Sequence, residues 1–142
     1  MTEIEKDLAH IRLIEREIQA YQAQAELLTT SIQTHRKAIE TLDAIPGLKE
    51  GDEILIPIGG GVILRMSWDG GSRVMLDVGA GVVVEESAED ARIALESRVR
   101  QMEAAMTQVE ARLRELRAQH AAVGQKVQRA YQGSMDVPDA AG

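Results

Sequence analysis

Two glycine clusters are the first places in this chain where chemistry is conceivable. Gly59-Gly60-Gly61 follows the run "EILIPI", and Gly79-Ala80-Gly81 sits inside "DVGAGVVVEES". Both come after strand-like residues, which is where phosphate-cradling loops occur. Such a loop needs a Lys and a Ser or Thr beside its backbone N–H groups, or a third glycine that opens a helix. Neither cluster has these, and each leads back into another apolar alternating run. Tight bends or bulges are expected here, not a nucleotide site. His10, His35 and His120 are dispersed, and no two lie four residues apart on one helix, so no metal site is expected. With zero cysteines, disulfides and thiolate ligands are excluded. No serine or threonine has a His base and an orienting acid within reach. No enzyme activity and no cofactor are expected.

The elements around these glycines carry more information. Residues 2–45 repeat every seven residues. With Ile4 at position a, the a series is Ile4, Ile11, Ile18, Ala25, Ile32 and Ile39, and the d series is Asp7, Ile14, Tyr21, Leu28, His35 and Leu42. Only Asp7 and His35 break an apolar seam, so a coiled-coil helix is predicted, ended by Ile45-Pro46-Gly47. Residues 88–131 repeat the pattern through Leu95, Val99, Met102, Met106, Val109, Leu113, Leu116, His120, Val123, Val127 and Ala130. Ser87 followed by Asp90 has the form of a helix N-cap. Two segments of similar length around a connector predict one antiparallel hairpin of helices, each roughly 66 Å long. Packing a against d with paired residue numbers summing to 134 gives layers such as Ile11–Val123, Ile18–Leu116 and Ile39–Leu95. It also sets Arg36 near Glu96 and Glu15 near Arg117. A slip of one heptad stays open. Histidines in such a seam act as polar residues that set register or loosen the coil.

The middle, 46–87, alternates with period two. Val62, Leu64, Met66 and Trp68 share one face, and Val74, Leu76 and Val78 another, which is strand periodicity. "EILIPI" and "GVVVEE" bring the total to four short strands, which two hairpins accommodate. Asp69-Gly70-Gly71 reads as a hairpin turn. Pro57 cannot donate to a ladder, so the first strand should be an edge or bulged there. Leu55, Ile63, Met75 and Val83 make the opposite faces apolar as well. Sheets of this size cannot bury both faces alone and would aggregate if left bare, so other subunits are required.

Composition agrees. The chain has 142 residues, no Phe, one Trp and two Tyr, which suits long helices and narrow seams better than a compact globule. Net charge is −7, divided as −3 over 1–45, −4 over 46–87, +2 over 88–131 and −2 over the tail. Phosphate-backbone binding is disfavoured, and the opposite signs of the two helical segments suit their pairing. The N-terminus lacks an apolar signal region, and no run approaches the roughly 20 apolar residues of a membrane helix. No nucleic acid and no membrane partner are expected, and a cytoplasmic location is.

Long helix, two β-hairpins, long helix, with "ILIPIGGGVIL" opening the sheet region and "VMLDVGAGVVVEESAEDA" closing it, resembles archaeal prefoldin α subunits over nearly the whole chain. An acidic tail ending "DVPDAAG" and few lysines are the departures. The resemblance implies an α+β fold: a long antiparallel α-helical coiled coil with two β-hairpins between the helices, feeding an oligomeric β-barrel platform. The chain would be a single domain over 1–142, with a flexible tail at 132–142. It implies an α2β4 hexamer with prefoldin β subunits. It also implies ATP-independent binding of unfolded proteins at the coiled-coil tips and delivery to a group II chaperonin. Client contacts would then fall on Ile4, Leu8, Ile11, Val123, Val127 and Tyr131. Assembly would rest on Ile54, Ile56, Ile58, Val62, Leu64, Met66, Val74, Leu76, Val78, Val82 and Val84. An adaptor coiled coil that docks one defined partner is the alternative, with an enzyme third.

Overall fold

The computed structural model describes residues 2–135. Helix α1 runs Glu3–Ala44, and a single 3₁₀ turn follows at Ile45–Gly47. Four strands come next: β1 (Glu53–Gly59), β2 (Val62–Ser67), β3 (Arg73–Gly79) and β4 (Val82–Ser87). Helix α2, Ala88–Met135, completes the chain. The chain divides into a terminal unit, residues 2–30 with 102–135, and a central unit, Ser31–Gln101.

Both ends of the helical pattern are set by identifiable chemistry. Thr2 and Glu5 form a reciprocal capping box: the Glu5 N–H donates to Thr2 Oγ1 at 3.2 Å, and the Thr2 N–H donates to Glu5 Oε2 at 3.0 Å. Pro46 closes α1 by entering the 3₁₀ turn. At the start of α2 the Asp90 N–H donates to Ser87 Oγ at 3.0 Å, the cap expected from the sequence. The far end differs from expectation. Residues Gln132–Met135, assigned above to a flexible tail, continue α2 beyond 131. One glycine, Gly133, costs about 1 kcal/mol and does not stop a helix already propagating. The rest of that tail lies outside the described residues.

Burial follows the heptads within each unit. In the terminal unit the a and d positions of α1 are half-buried and Ile14 is buried, facing a core of Val109, Leu113, Leu116 and Val127 from α2. In the central unit Ala91, Leu95 and Val99 are buried, with Ile32, Ile39 and Leu42 half-buried. The helices are antiparallel: Lys126 Nζ meets Asp7 at 3.4 Å, His120 meets Glu15 at 3.0 Å and Arg112 meets Glu17 at 3.1 Å. The first two pairs sum to 133 and 135, on either side of the 134 register and far from a heptad slip. Arg112 reaches further along the axis and holds Glu115 as well, at 3.2 Å. Glu15 therefore binds His120 where Arg117 was expected. In the central unit Arg92 pairs with Asp43 and, at 3.3 Å, with Glu96.

The strands form two separate two-stranded sheets, β1–β2 and β3–β4. Asp69-Gly70-Gly71 does not turn a hairpin, as its sequence suggested, but links the two. The Gly71 N–H donates to Asp69 Oδ1 at 2.8 Å, an Asx turn, and β2 does not pair with β3. The hairpin turns are the glycine clusters themselves. Gly60 and Gly61, at φ 60° and 78°, and Ala80 and Gly81, at 52° and 75°, supply the two positive φ values of a type I′ turn. Both ladders shift register just before the turn, between Pro57 and Gly59 and between Asp77 and Gly79. Gly59 and Gly79 have φ 107° and 109°, so the irregularity expected at Pro57 goes with the turn and occurs equally without a proline.

Candidate functional site

The cleft lined by Asp43, Trp68, Ser72, Ser87, Glu89 and Arg92 places no histidine or lysine beside its serines. Among the described residues, no three His, Asp or Glu side chains cluster as metal ligands would. No described helix is long and apolar enough to cross a membrane. The glycine clusters are spent on I′ turns, with no Lys or hydroxyl beside them. Two surfaces remain.

The first is the pair of hairpins. In β1–β2, Ile54 lies opposite Met66 and Ile56 opposite Leu64, so alternate side chains build one apolar face with Ile58 and Val62. Ile56, Ile58, Val62, Leu64 and Met66 are all exposed and Ile54 is half-buried. The reverse face exposes Leu55 and Ile63 too. In β3–β4, Val74, Leu76 and Val84 are half-buried while Val78 and Val82 are exposed, and on the reverse face Met75 is 77% exposed. Arg98 of α2 holds this second hairpin, donating from Nη2 to the Asp77 carbonyl at 2.7 Å. Arg73 and Glu85 bridge its reverse face at 3.2 Å. The eleven assembly residues expected from the sequence thus lie on one face of each hairpin. Arg98 was missed, because a single arginine in a polar helix face carries no pattern.

The second surface is in the terminal unit. Ile4, Leu8, Ile11 and Val123 are half-buried, and Val127, at 8% exposed, is buried. Of the six expected contacts only Tyr131, at 51%, is open to solvent. The cause is the heptad itself, since Ile4, Ile11, Val123 and Val127 are seam residues and the seam is closed. The large apolar side chains exposed in this unit are Leu13, Leu27, Tyr131 and Met135. Leu27 gave a signal that was not used: it is a leucine at position c, where a polar residue belongs.

Polar residues in this unit's seam are satisfied individually. Asp7, only 14% exposed, takes Lys126, and His120 donates to Glu15. Further along α1, in the central unit, His35 Nδ1 donates to the Ser31 carbonyl at 2.7 Å. Glu115, and then Glu17, hold the Arg112 guanidinium above its ordinary pKa, so it stays charged throughout the accessible pH range. These groups position helices, and nothing about them suggests proton transfer.

With this geometry in place, comparison with known proteins is decisive. The family model described as "Prefoldin subunit" matches residues 14–133. The chain belongs to the prefoldin family. A prefoldin subunit alpha from Methanoculleus marisnigri is 30% identical over 135 residues, covering 90% of each chain. A second, from Pyrococcus horikoshii, is 32% identical over 126 residues, covering 82% of this chain and 84% of its own. The fold is shared with a filamentous prefoldin (PFD) from Methanocaldococcus jannaschii solved by cryo-EM. That comparison gives a TM-score of 0.69 at 23% identity, covering 87% of this chain and 97% of that one. The prefoldin beta subunit of Thermococcus strain KS-1 also shares it, with a TM-score of 0.60 at 13% identity, covering 92% and 93%. The archaeal α-type resemblance read from the sequence therefore stands. Prefoldins are chaperones, and this chain is a chaperone subunit.

Proposed function

We propose that the chain is the α subunit of an ATP-independent holdase. In this reading its two hairpins join those of prefoldin β subunits in an α2β4 hexamer in the cytoplasm. The helix ends grip unfolded proteins and pass them to a group II chaperonin. The observation that carries the reading is the state of the hairpins: β1–β2 exposes apolar side chains on both faces, β3–β4 exposes Met75, Val78, Val82 and Val83, and each has two unpaired edges. Such surfaces are stable in water only when other strands cover them.

Client capture then falls to the terminal unit. Tyr131 is open, whereas Ile4, Leu8, Ile11, Val123 and Val127 become available only if the last turns of the helices part. Asp7 in a d position and Gly124 in α2 make that end easier to open. Each end contributes a modest apolar area at about 25 cal/mol per Å². Several ends acting on one client raise affinity through effective concentration, and no nucleotide is needed.

The test is native mass by light scattering, followed by aggregation suppression. Mixed with a β-type partner, the chain should reach the mass of two copies plus four partners. Deleting residues 1–10 and 121–142 should leave the two-plus-four stoichiometry intact, with the mass lower only by the residues removed, and abolish suppression for several unrelated denatured proteins. Loss of assembly in the deletion would refute the division of labour, and suppression confined to one protein would mark a dedicated adaptor.

A further inference from the structure

In the heptad frame of α1, position c faces away from the seam and should be polar. It is Leu at 13 and 27, with Ala20 midway and Ala23 beside it, and all four are exposed. Leu13 is 58% and Leu27 74% exposed, so most of each lies open. The stripe spans 14 residues, about 21 Å or four turns. It is also near-symmetric about its centre. An antiparallel copy of the same helix brings Leu13 within a turn of Leu27 on the other copy. The alanines then meet in the middle, where small side chains permit close approach.

The flanking charges fit the same arrangement. Arg12 and Glu26 border the stripe on one side. Both are exposed, and neither has an ion-pair or hydrogen-bond partner among the described residues. Their neighbours Glu15 and Glu17, by contrast, are engaged by His120 and Arg112. In the antiparallel pair Arg12 of each copy falls opposite Glu26 of the other, twice by symmetry. Parallel pairing would put the two b positions on opposite sides of the contact, where Arg12 and Glu26 meet neither each other nor themselves, so only the antiparallel form uses these charges.

We infer that the outer face of α1 over residues 12–28 is a self-association surface, where a second copy of this chain docks its own α1 antiparallel. A four-turn helix contact buries well under the roughly 800 Å² per partner of a stable interface. The association is therefore weak, reversible and concentration-dependent, and it joins copies already assembled through their hairpins.

Sedimentation velocity of the full chain co-assembled with a β-type partner, over a wide concentration range, tests this. The sedimentation coefficient should rise with concentration. Arg12→Glu and Glu26→Arg should each weaken the association by about tenfold, and the double reversal R12E/E26R should restore it. Leu27→Ser should abolish it with helix content unchanged by circular dichroism. A coefficient flat with concentration, or a double reversal no better than the singles, overturns the inference. So does loss of aggregation suppression in Leu27→Ser without change in association, which would make the stripe a client surface. The charge pattern reads against whatever baseline mass the hairpins set, so failure here is distinct from failure of the hexamer.

Discussion

Leu116 and Leu27 are the same residue on the two helices of one unit, and truncating each to alanine separates seam from surface. Leu116 is 1% exposed and Leu27 74%. Full burial of a leucine is worth about 1.5–3 kcal/mol, and the cavity left by truncation adds to it. Leu116→Ala should therefore cost about 3 kcal/mol. Leu27 keeps roughly a quarter of its surface covered, and alanine is the better helix former, so Leu27→Ala should cost about 0.5 kcal/mol or less. For a chain of this size 1 kcal/mol moves the melting temperature by about 3 °C. Thermal unfolding followed at 222 nm should then show a fall of roughly 10 °C for Leu116→Ala and under about 2 °C for Leu27→Ala. Equal shifts would mean that the heptad frame is misassigned, and the register built on it would go too.

Other substitutions test separate parts of the account. Ser87→Ala removes the acceptor for the Asp90 N–H and should cost about 1 kcal/mol by urea unfolding. Ala80 has φ 52°, the one non-glycine with positive φ among the described residues, so Ala80→Gly should stabilise the second hairpin by about 1 kcal/mol. Asp7→Leu fills a d position whose carboxylate is 14% exposed. It should raise stability by about 1 kcal/mol while reducing aggregation suppression. Unchanged suppression would separate client capture from opening of the helix ends.

Much of the fold was legible because its signals are periodic. The a and d series located both helices, and the Ser87 cap is local chemistry that needs no tertiary context. Asp69-Gly70-Gly71 misled because a glycine pair after Asp serves a linker and a hairpin turn equally. Which strands pair is decided by the I′ geometry at Gly60-Gly61 and Ala80-Gly81. The surfaces were harder to read. A hydrophobic pattern marks Val127 and Ile4 as apolar without saying how much of each the closed seam covers. Leu27 escaped because it interrupts a pattern, and Arg98 because its partner is a backbone carbonyl.

The two sheets are each closed by a two-residue turn, and this bears on the order in which the chain acquires structure. Strand partners such as Asp77 and Val83 are only a few residues apart, so each hairpin forms with little loop-closure entropy, on a microsecond scale. Asp43 must wait for Arg92 across the whole hairpin region, and Asp7 for Lys126 at a separation of 119 residues. The long closures become cheap only once the nearer ones hold, so the helices should zip from the hairpins outward. The two hairpins thus mature first. The residues of the terminal unit close last and reopen first, as the slow step of folding and the fast step of fraying.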